Sequence, residues 1–257
     1  MKISIGINIH GAYKRQDQCI FVLKKLKQKY PNITLYNITF SDEFNFEKEF
    51  IHLPFLNKTA SDVITDSNSK KPIANQFFDI LSRTDCDYFL FLNSDILLTE
   101  KALKLITNDY DTYCFSRTDV VSTDKLSEIV PWRIEIAGFD AWAVKKEWWL
   151  NNSDHFSDEY VYAEHLWDVF FTLTMFNNSK CMLGNKENYI IHEKHELNWN
   201  ETSPEATHNS NLWTKSPYGE RWRKFIYENL IKRQPMGQFL TPLDNETELE
   251  QTFLTVK

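Results

Sequence analysis

An acidic side chain follows directly on the most apolar strand-like run of the chain. Tyr88–Leu92 is apolar throughout and is followed by Asn93-Ser94-Asp95. In open α/β sheets, ligands bind beyond the carboxyl ends of the strands, where an emerging carboxylate can face a ligand phosphate. Such a carboxylate can hold Mg²⁺ or Mn²⁺, and the ion can in turn bind a diphosphate. Asp95 is therefore a candidate metal ligand, and the alternative is that it caps the helix that follows.

Two acids further along the chain are candidate proton acceptors. Glu164 and Asp168 precede an apolar stretch at 169–176, and at this spacing they would share one face of a helix. A carboxylate in this position can take a proton from an attacking hydroxyl group, although acids at a helix start also complement the helix macrodipole. We favour Asp168 slightly, because the residues that follow it commit it to a packed face.

Two histidines and a glycine-containing segment add possible ligand contacts. His192 and His195 follow the strand-like Tyr189-Ile190-Ile191, and their spacing is one residue short of the zinc-protease motif HExxH. The segment Gly138-Phe139-Asp140-Ala141-Trp142 combines a glycine, which lets backbone approach a ligand, with an acid that can accept two hydroxyl hydrogen bonds. Surface histidines, and a turn glycine with a capping aspartate, are the alternatives.

The elements that must position these residues alternate between strand and helix in the first half of the chain. Periodicity and stop signals predict strands at 3–9, 33–40, 88–92 and 112–115, and helices at 17–30, 72–81 and 99–106. The segment 41–71 is mixed and polar. Alternation of this kind predicts an α/β fold with a mostly parallel sheet and helices on both faces. The continuous apolar run at 88–92 is typical of a central strand, and we expect one domain over residues 1–257.

Composition excludes several classes of protein. A formal net charge of −7 argues against nucleic acid as the main partner. The four cysteines lack metal-type spacing and are expected to be reduced and buried. The opening segment is too short and polar for a signal peptide, and no apolar run is long enough to span a bilayer. We therefore expect a cytoplasmic protein without a transmembrane segment, for which peripheral membrane association is possible.

In order and strand context, these segments resemble glycosyltransferases of the GT-A fold, which use nucleotide-diphosphate sugars. The run into Asn93-Ser94-Asp95 is similar to the Asp-x-Asp metal site of that family, with Asn93 in place of the first acid. The resemblance implies that Asp95 binds Mn²⁺ or Mg²⁺ and that Asn93 and Ser94 contact the donor. It covers roughly Ile3 to His195 in layout, with 1–116 as the nucleotide-binding half and 117–257 as the acceptor-binding half with a C-terminal extension.

The resemblance also implies roles for the later segments. Gly138 and Asp140 would contact the donor sugar, and Trp142 would line the groove beside it. Asp168 or Glu164 would be the catalytic base of an inverting enzyme. The remaining candidates are the metal ligand His192, with His195 as second choice, and a second groove tryptophan, Trp199.

The nucleotide itself would lie at the ends of the first two strands. Ile9 and His10 stand where such enzymes contact the base, and Asp42 resembles an acid that binds uracil or ribose. Arg221 and Arg223 could bind phosphate bidentately, or could belong to a solvated helix face.

Three functions remain open at this point. The first is a metal-dependent glycosyltransferase that moves a sugar from a nucleotide diphosphate to a carbohydrate or glycoconjugate hydroxyl. The second is a nucleotidyltransferase on a similar sheet, although the loop His10-Gly11-Ala12-Tyr13-Lys14-Arg15 has only one glycine for binding phosphates. The third is a non-catalytic carbohydrate-binding relative, which Asn93 at the first motif position favours.

Overall fold

The computed structural model describes residues 1–10, 14–45, 47–124, 131–184, 189–195, 200 and 202–218, and for 131–137 the backbone alone. A sheet of nine strands runs through these residues, eight of them in the order β3-β2-β1-β4-β7-β6-β9-β5. The ninth strand, β8, pairs with the first half of β6, and β9 pairs with its second half. The strands are β1 Ile3–Ile7, β2 Ile33–Phe40, β3 Ile51–Leu56, β4 Tyr88–Leu92, β5 Ile96–Leu98, β6 Thr112–Val120, β7 Pro131–Lys145, β8 Cys181–Gly184 and β9 Ile190–Glu193.

The sheet is mixed and mostly parallel, as predicted. Strands β3, β2, β1 and β4 are parallel, and β8 and β9 are parallel to β6. Strand β7 runs antiparallel between β4 and β6, and β5 is antiparallel to β9. As a result, the carboxyl ends of β1, β2, β4, β6 and β9 open on the same edge of the sheet.

Helices cover both faces of this sheet. They are α1 Lys14–Lys29, α2 Ala60–Val63, α3 Asn75–Ser82, α4 Glu100–Leu105, α5 Lys146–Asn152, α6 Trp167–Asn178 and α7 Pro204–Lys215. Helices α1 and α4 pack on one core, and α3, α5 and α6 pack on the other. None of the helices in the described residues has both the length and the apolar character needed to cross a bilayer.

Strand β4 is central, as its continuous apolar sequence predicts. All five of its residues are buried. Tyr88, Leu90 and Leu92 belong to the first core and Phe89 and Phe91 to the second, because successive strand side chains point to opposite faces. The aromatic-rich second core explains much of the unusual aromatic content of the chain.

Two of the predicted boundaries differ from the structure for identifiable reasons, and one strand was not predicted. The strand predicted at 112–115 continues to Val120, because its polar second half pairs with β7 and β9. The helix predicted at 72–81 begins at Asn75, because Ile73 forms an isolated bridge with Val161. The polar segment 41–71 contains the edge strand β3, whose pattern is mostly half-exposed and therefore gives no clear signal.

Candidate functional site

Strand register brings three side chains together at the carboxyl edge of the sheet. His192 in β9 lies opposite Asp119 of β6 on one side and Ile96 of β5 on the other. Asp95 immediately precedes β5 and therefore meets His192. Helix α4 is capped by the Thr99 side chain, not by Asp95. The capping alternative for Asp95 is therefore wrong.

The Asp95 carboxylate faces two imidazole rings. Its Oδ2 lies 3.3 Å from His195 Nε2 and 3.7 Å from His192 Nε2, and the two Nε2 atoms are 3.2 Å apart. All three ligand atoms lie within 4.8 Å of one another. Burial raises the pKa of Asp95, but the hydrogen bond with His195 and the electrostatic interactions with both imidazole rings outweigh this effect and hold that pKa below its ordinary value.

This donor set fits a divalent cation. Asp119 Oδ1 lies 2.9 Å from His192 Nδ1, and an ionised carboxylate can only accept, so Nδ1 carries the proton. In neutral His192, Nε2 then presents a lone pair toward His195 Nε2 and Asp95 Oδ2. Lone pairs directed at one another repel unless a proton or a metal ion lies between them. Two imidazoles and a carboxylate are ordinary ligands for first-row transition metals.

Asp95 and His192 also belong to a longer series of side-chain contacts, which we call the polar ring (Asp95, His192, Asp119, Arg117, Asp140 and Asn93) and whose two ends are joined by the backbone of Asn93-Ser94-Asp95. Arg117 donates from Nε to Asp119 Oδ1 at 3.1 Å and from Nη1 to Asp140 Oδ2 at 2.7 Å. Asn93 Nδ2 donates to Asp140 Oδ1 at 2.6 Å, and Asn93 Oδ1 accepts from the Tyr162 hydroxyl at 3.0 Å. The ring therefore links the metal-type cluster to the segment predicted to bind the sugar.

A β-bulge aims Asp140 into the ring. Phe115 pairs with Ala141 while the next residue, Ser116, pairs with Phe139, so Asp140 is the extra residue of β7 and has no register partner in the ladder with β6. Bulges of this kind often redirect a side chain next to a functional site. Gly138 lies within β7 close to this irregularity, so the alternative of a turn glycine with a capping aspartate is wrong.

Asp168 lies next to Asp140 at the start of α6. Its Oδ2 accepts the Phe139 amide at 3.4 Å. Burial, and then the negative charge of Asp140, raise the pKa of Asp168 to about 7, while Arg117 acts in the opposite direction. A carboxyl group with a pKa near neutrality can exchange a proton with a substrate hydroxyl.

Glu164 does not share a helix face with Asp168, contrary to the prediction. Helix α6 begins only at Trp167, and both Ala163 (φ 60°) and Leu166 (φ 70°) have left-handed backbone conformations. Glu164 is buried in this loop, where it forms an ion pair with Lys71. Its partner is thus a lysine outside the polar ring, which leaves Asp168 as the better-placed acid.

Trp142 is not a groove residue. It is fully buried in the second core, where its ring stacks on Phe91 and its Nε1 donates to Thr172 Oγ1 at 3.0 Å. Cys114, which pairs with Trp142 from the neighbouring strand β6, is equally buried. The prediction failed because the count of tryptophans does not indicate which face of a strand each occupies.

The residues predicted to contact the nucleotide lie at the ends of β1 and β2. Ile9 is buried and its N–H donates to Asn37 Oδ1 of β2 at 2.9 Å. His10 and Asp42 are exposed at the same edge of the sheet. Ser94 is half-buried between the end of β4 and the start of β5. Their roles stay predictions, as does that of Gly138.

Sequence reasoning missed Arg117 and Asp119. The available signal was two charged residues, two apart, at the end of an apolar strand, which places both side chains on one face. Trp199, Arg221, Arg223 and residues 11–13 of the first loop lie outside the described residues. The four cysteines are free, three of them buried and Cys181 half-buried.

Comparison with known proteins gives a match at the level of structure. No family model matches the chain, and no curated protein matches its sequence. Residues 1–349 of S. aureus TarS in complex with UDP-GlcNAc superpose with a TM-score of 0.52 at 14% identity, over 91% of this chain and 78% of that one. Longer S. aureus TarS gives 0.51 at 12% identity, over 90% of this chain and 45% of that one. The chain therefore has the mixed α/β, Rossmann-type fold of S. aureus TarS.

Proposed function

We propose that this protein is a metal-dependent glycosyltransferase. It moves a sugar from a nucleotide-diphosphate donor to a hydroxyl group of a carbohydrate or glycoconjugate. The observation that carries the proposal is the cluster of Asp95, His192 and His195 at the carboxyl edge of the sheet. This edge is where α/β sheets bind their ligands, and the fold is shared with a protein crystallised with UDP-GlcNAc.

Asp95, His192 and His195 would hold the cation. When bound, a divalent ion acts as a Lewis acid that stabilises the negative charge of a leaving diphosphate. Mg²⁺ prefers an all-oxygen set of ligands, whereas imidazole nitrogens suit transition metals. Two imidazoles to one carboxylate therefore support Mn²⁺ over Mg²⁺ as the working ion.

Asn93 and Asp140 would orient the donor sugar. Their hydrogen bond fixes both side chains, and Asp140 is also held by Arg117. A carboxylate whose two oxygens already accept hydrogen bonds retains further lone pairs for sugar hydroxyls. Preorganised polar groups of this kind position a substrate at little cost in entropy at the moment of reaction.

Asp168 would act as the general base. A pKa raised to about 7 makes its carboxylate a better proton acceptor than an ordinary aspartate and leaves it largely ionised above neutrality. It would take the proton from the acceptor hydroxyl at an Oδ atom as that oxygen attacks the sugar carbon. The neighbouring charge of Arg117 would stabilise the ionised form.

The direct test is donor hydrolysis by the purified protein. Incubated with Mn²⁺ and a panel of uridine, guanosine, cytidine and thymidine diphosphate sugars, the protein should slowly release nucleotide from at least one donor. Asp95→Ala should abolish this release, whereas the matched control Asp62→Ala should not, because Asp62 is an exposed acid of α2 that bonds Thr59 and is not part of the polar ring. Absence of binding and hydrolysis across the whole panel would contradict the proposal.

The same experiment separates the other two functions. Pyrophosphate release from a nucleoside triphosphate and a sugar phosphate would instead indicate a nucleotidyltransferase. Sugar binding that needs no metal and gives no turnover would indicate a carbohydrate-binding relative.

A further inference from the structure

Asp119 is a buried acid whose role is not explained by the proposed catalytic steps. It is only 2% exposed and lies at the end of β6, separated by strand β9 from β5, which Asp95 precedes. Burying a carboxylate is costly unless charged or hydrogen-bonding partners compensate. Its partners include Arg117, through Nε, and His192, through Nδ1, and both of these contacts go to the same oxygen, Oδ1.

The contact with His192 selects one form of the imidazole ring. Because the carboxylate oxygen can only accept, the hydrogen bond requires the proton to sit on Nδ1. The ring then presents the Nε2 lone pair to the space between Asp95 and His195. Without Asp119, either nitrogen of the ring could carry the proton, and rotation about χ2 would cost less.

We propose that Asp119 is a positioning residue that presets His192, in tautomer and orientation, to bind a divalent cation through Nε2. The inference rests on the proposed cation site and assigns to Asp119 no contact with the ion or the substrate. Carboxylate partners of this kind raise the basicity of a ligand histidine, and their loss typically lowers metal affinity by about 10–100-fold.

The geometry around Asp119 holds its carboxylate in one orientation relative to His192. The parallel register pairs Asp119 directly with His192, so the two side chains lie on the same face of the sheet at neighbouring positions. The Arg117 guanidinium spans Asp119 and Asp140, which balances charge and restricts rotation of the Asp119 carboxylate. Asp119 thus connects the cation cluster to the rest of the polar ring.

A purely structural ion pair between Asp119 and Arg117 is the competing explanation. It predicts that replacing Asp119 lowers thermal stability but leaves cation affinity and the tautomer of His192 unchanged. The two explanations therefore differ in properties of the protein that can be measured without turnover.

The first measurement uses the metal-free wild-type protein. ¹⁵N NMR of the histidine rings at about pH 8, above the ordinary histidine pKa, should show His192 with its proton on Nδ1. In Asp119→Ala the other tautomer should gain population. A wild-type His192 protonated on Nε2 would overturn the proposal even if every variant failed to fold.

The second measurement titrates Mn²⁺ into the wild-type protein and two variants, with free Mn²⁺ followed by EPR. Asp119→Asn, which keeps the side-chain size, should bind Mn²⁺ about 10–100-fold more weakly. The matched control Asp111→Asn should bind like the wild type, because Asp111 accepts the Lys180 amide at the opposite end of β6. Equal affinity of Asp119→Asn and wild type would refute the role of Asp119 alone, whereas no Mn²⁺ binding by the wild type would refute the proposed cation site itself.

Discussion

Replacing Asp168 with asparagine should make the protein more stable and less active at the same time. Its pKa is raised to about 7 by burial and by the charge of Asp140, compared with about 3.9 in an unfolded chain. The folded protein therefore holds the proton more tightly than the unfolded chain between these two values. The resulting stabilisation is full below about pH 4 and is lost as the pH rises through about 7.

The magnitude follows from the size of the shift. Between about pH 5 and pH 8 the wild-type protein loses roughly 3 kcal/mol, which corresponds to about two pKa units. Asparagine has the same shape and no charge, so Asp168→Asn avoids this loss. Relative to the wild type, its free energy of unfolding should therefore rise by up to roughly 3 kcal/mol on going from about pH 5 to pH 8.

Urea denaturation at the two pH values measures this difference, with Asp154→Asn as the control. Asp154 is exposed in a 3-10 turn, and its replacement should leave the pH dependence unchanged. Transfer by the wild type should fall about tenfold per pH unit below about 7, and Asp168→Asn should abolish it. A stability difference between Asp168→Asn and wild type that is the same at both pH values would refute the reasoning about burial and charge.

Three further perturbations test other parts of the structure. His195→Ala should reduce Mn²⁺ affinity more than Mg²⁺ affinity in parallel calorimetric titrations, because it removes a nitrogen ligand; an unchanged ratio would exclude His195 as a ligand. Trp142→Phe should lower the free energy of unfolding by about 1–3 kcal/mol, through lost packing and the lost hydrogen bond to Thr172, with no change in donor KM; a change in KM without a change in stability would show that Trp142 contacts the donor after all. Lys71→Met should cost about 1–3 kcal/mol by leaving buried Glu164 without its cation, and adding Glu164→Gln should restore part of that loss in the same denaturation assay; no recovery would mean that Glu164 is stabilised by other contacts.

Local sequence was sufficient to predict much of the sheet and to select two residues of the candidate site. The strand at Tyr88–Leu92 was predicted with its correct limits, because an uninterrupted apolar run of this length admits few alternatives. Asp95 and His192 were identified because each follows such a run, and in a parallel sheet strand ends converge on one edge. The alternation of strands and helices fixed the class of fold for the same reason.

The remaining residues of the site depend on pairing between distant segments. Arg117 and Asp119 were missed because a polar stretch after Phe115 looks like the end of a strand, whereas β7 and β9 continue the ladder on both sides. The prediction that Glu164 and Asp168 share one face of α6 was wrong, because the left-handed conformation of Leu166 places Glu164 outside the helix. Neither register nor a positive φ at a leucine can be derived from periodicity.

Strand β9 has a consequence for how this site could change during evolution or design. Its four residues are hydrogen-bonded to β6 on one side, and β5 pairs with it on the other. Inserting or deleting a single residue would turn every side chain of β9 to the opposite face, which would separate His192 from Asp95 and Asp119 together. The cluster of Asp95, His192 and His195 can therefore be altered one residue at a time by substitution. A one-residue shift in the register of β9, in contrast, would dismantle the whole cluster.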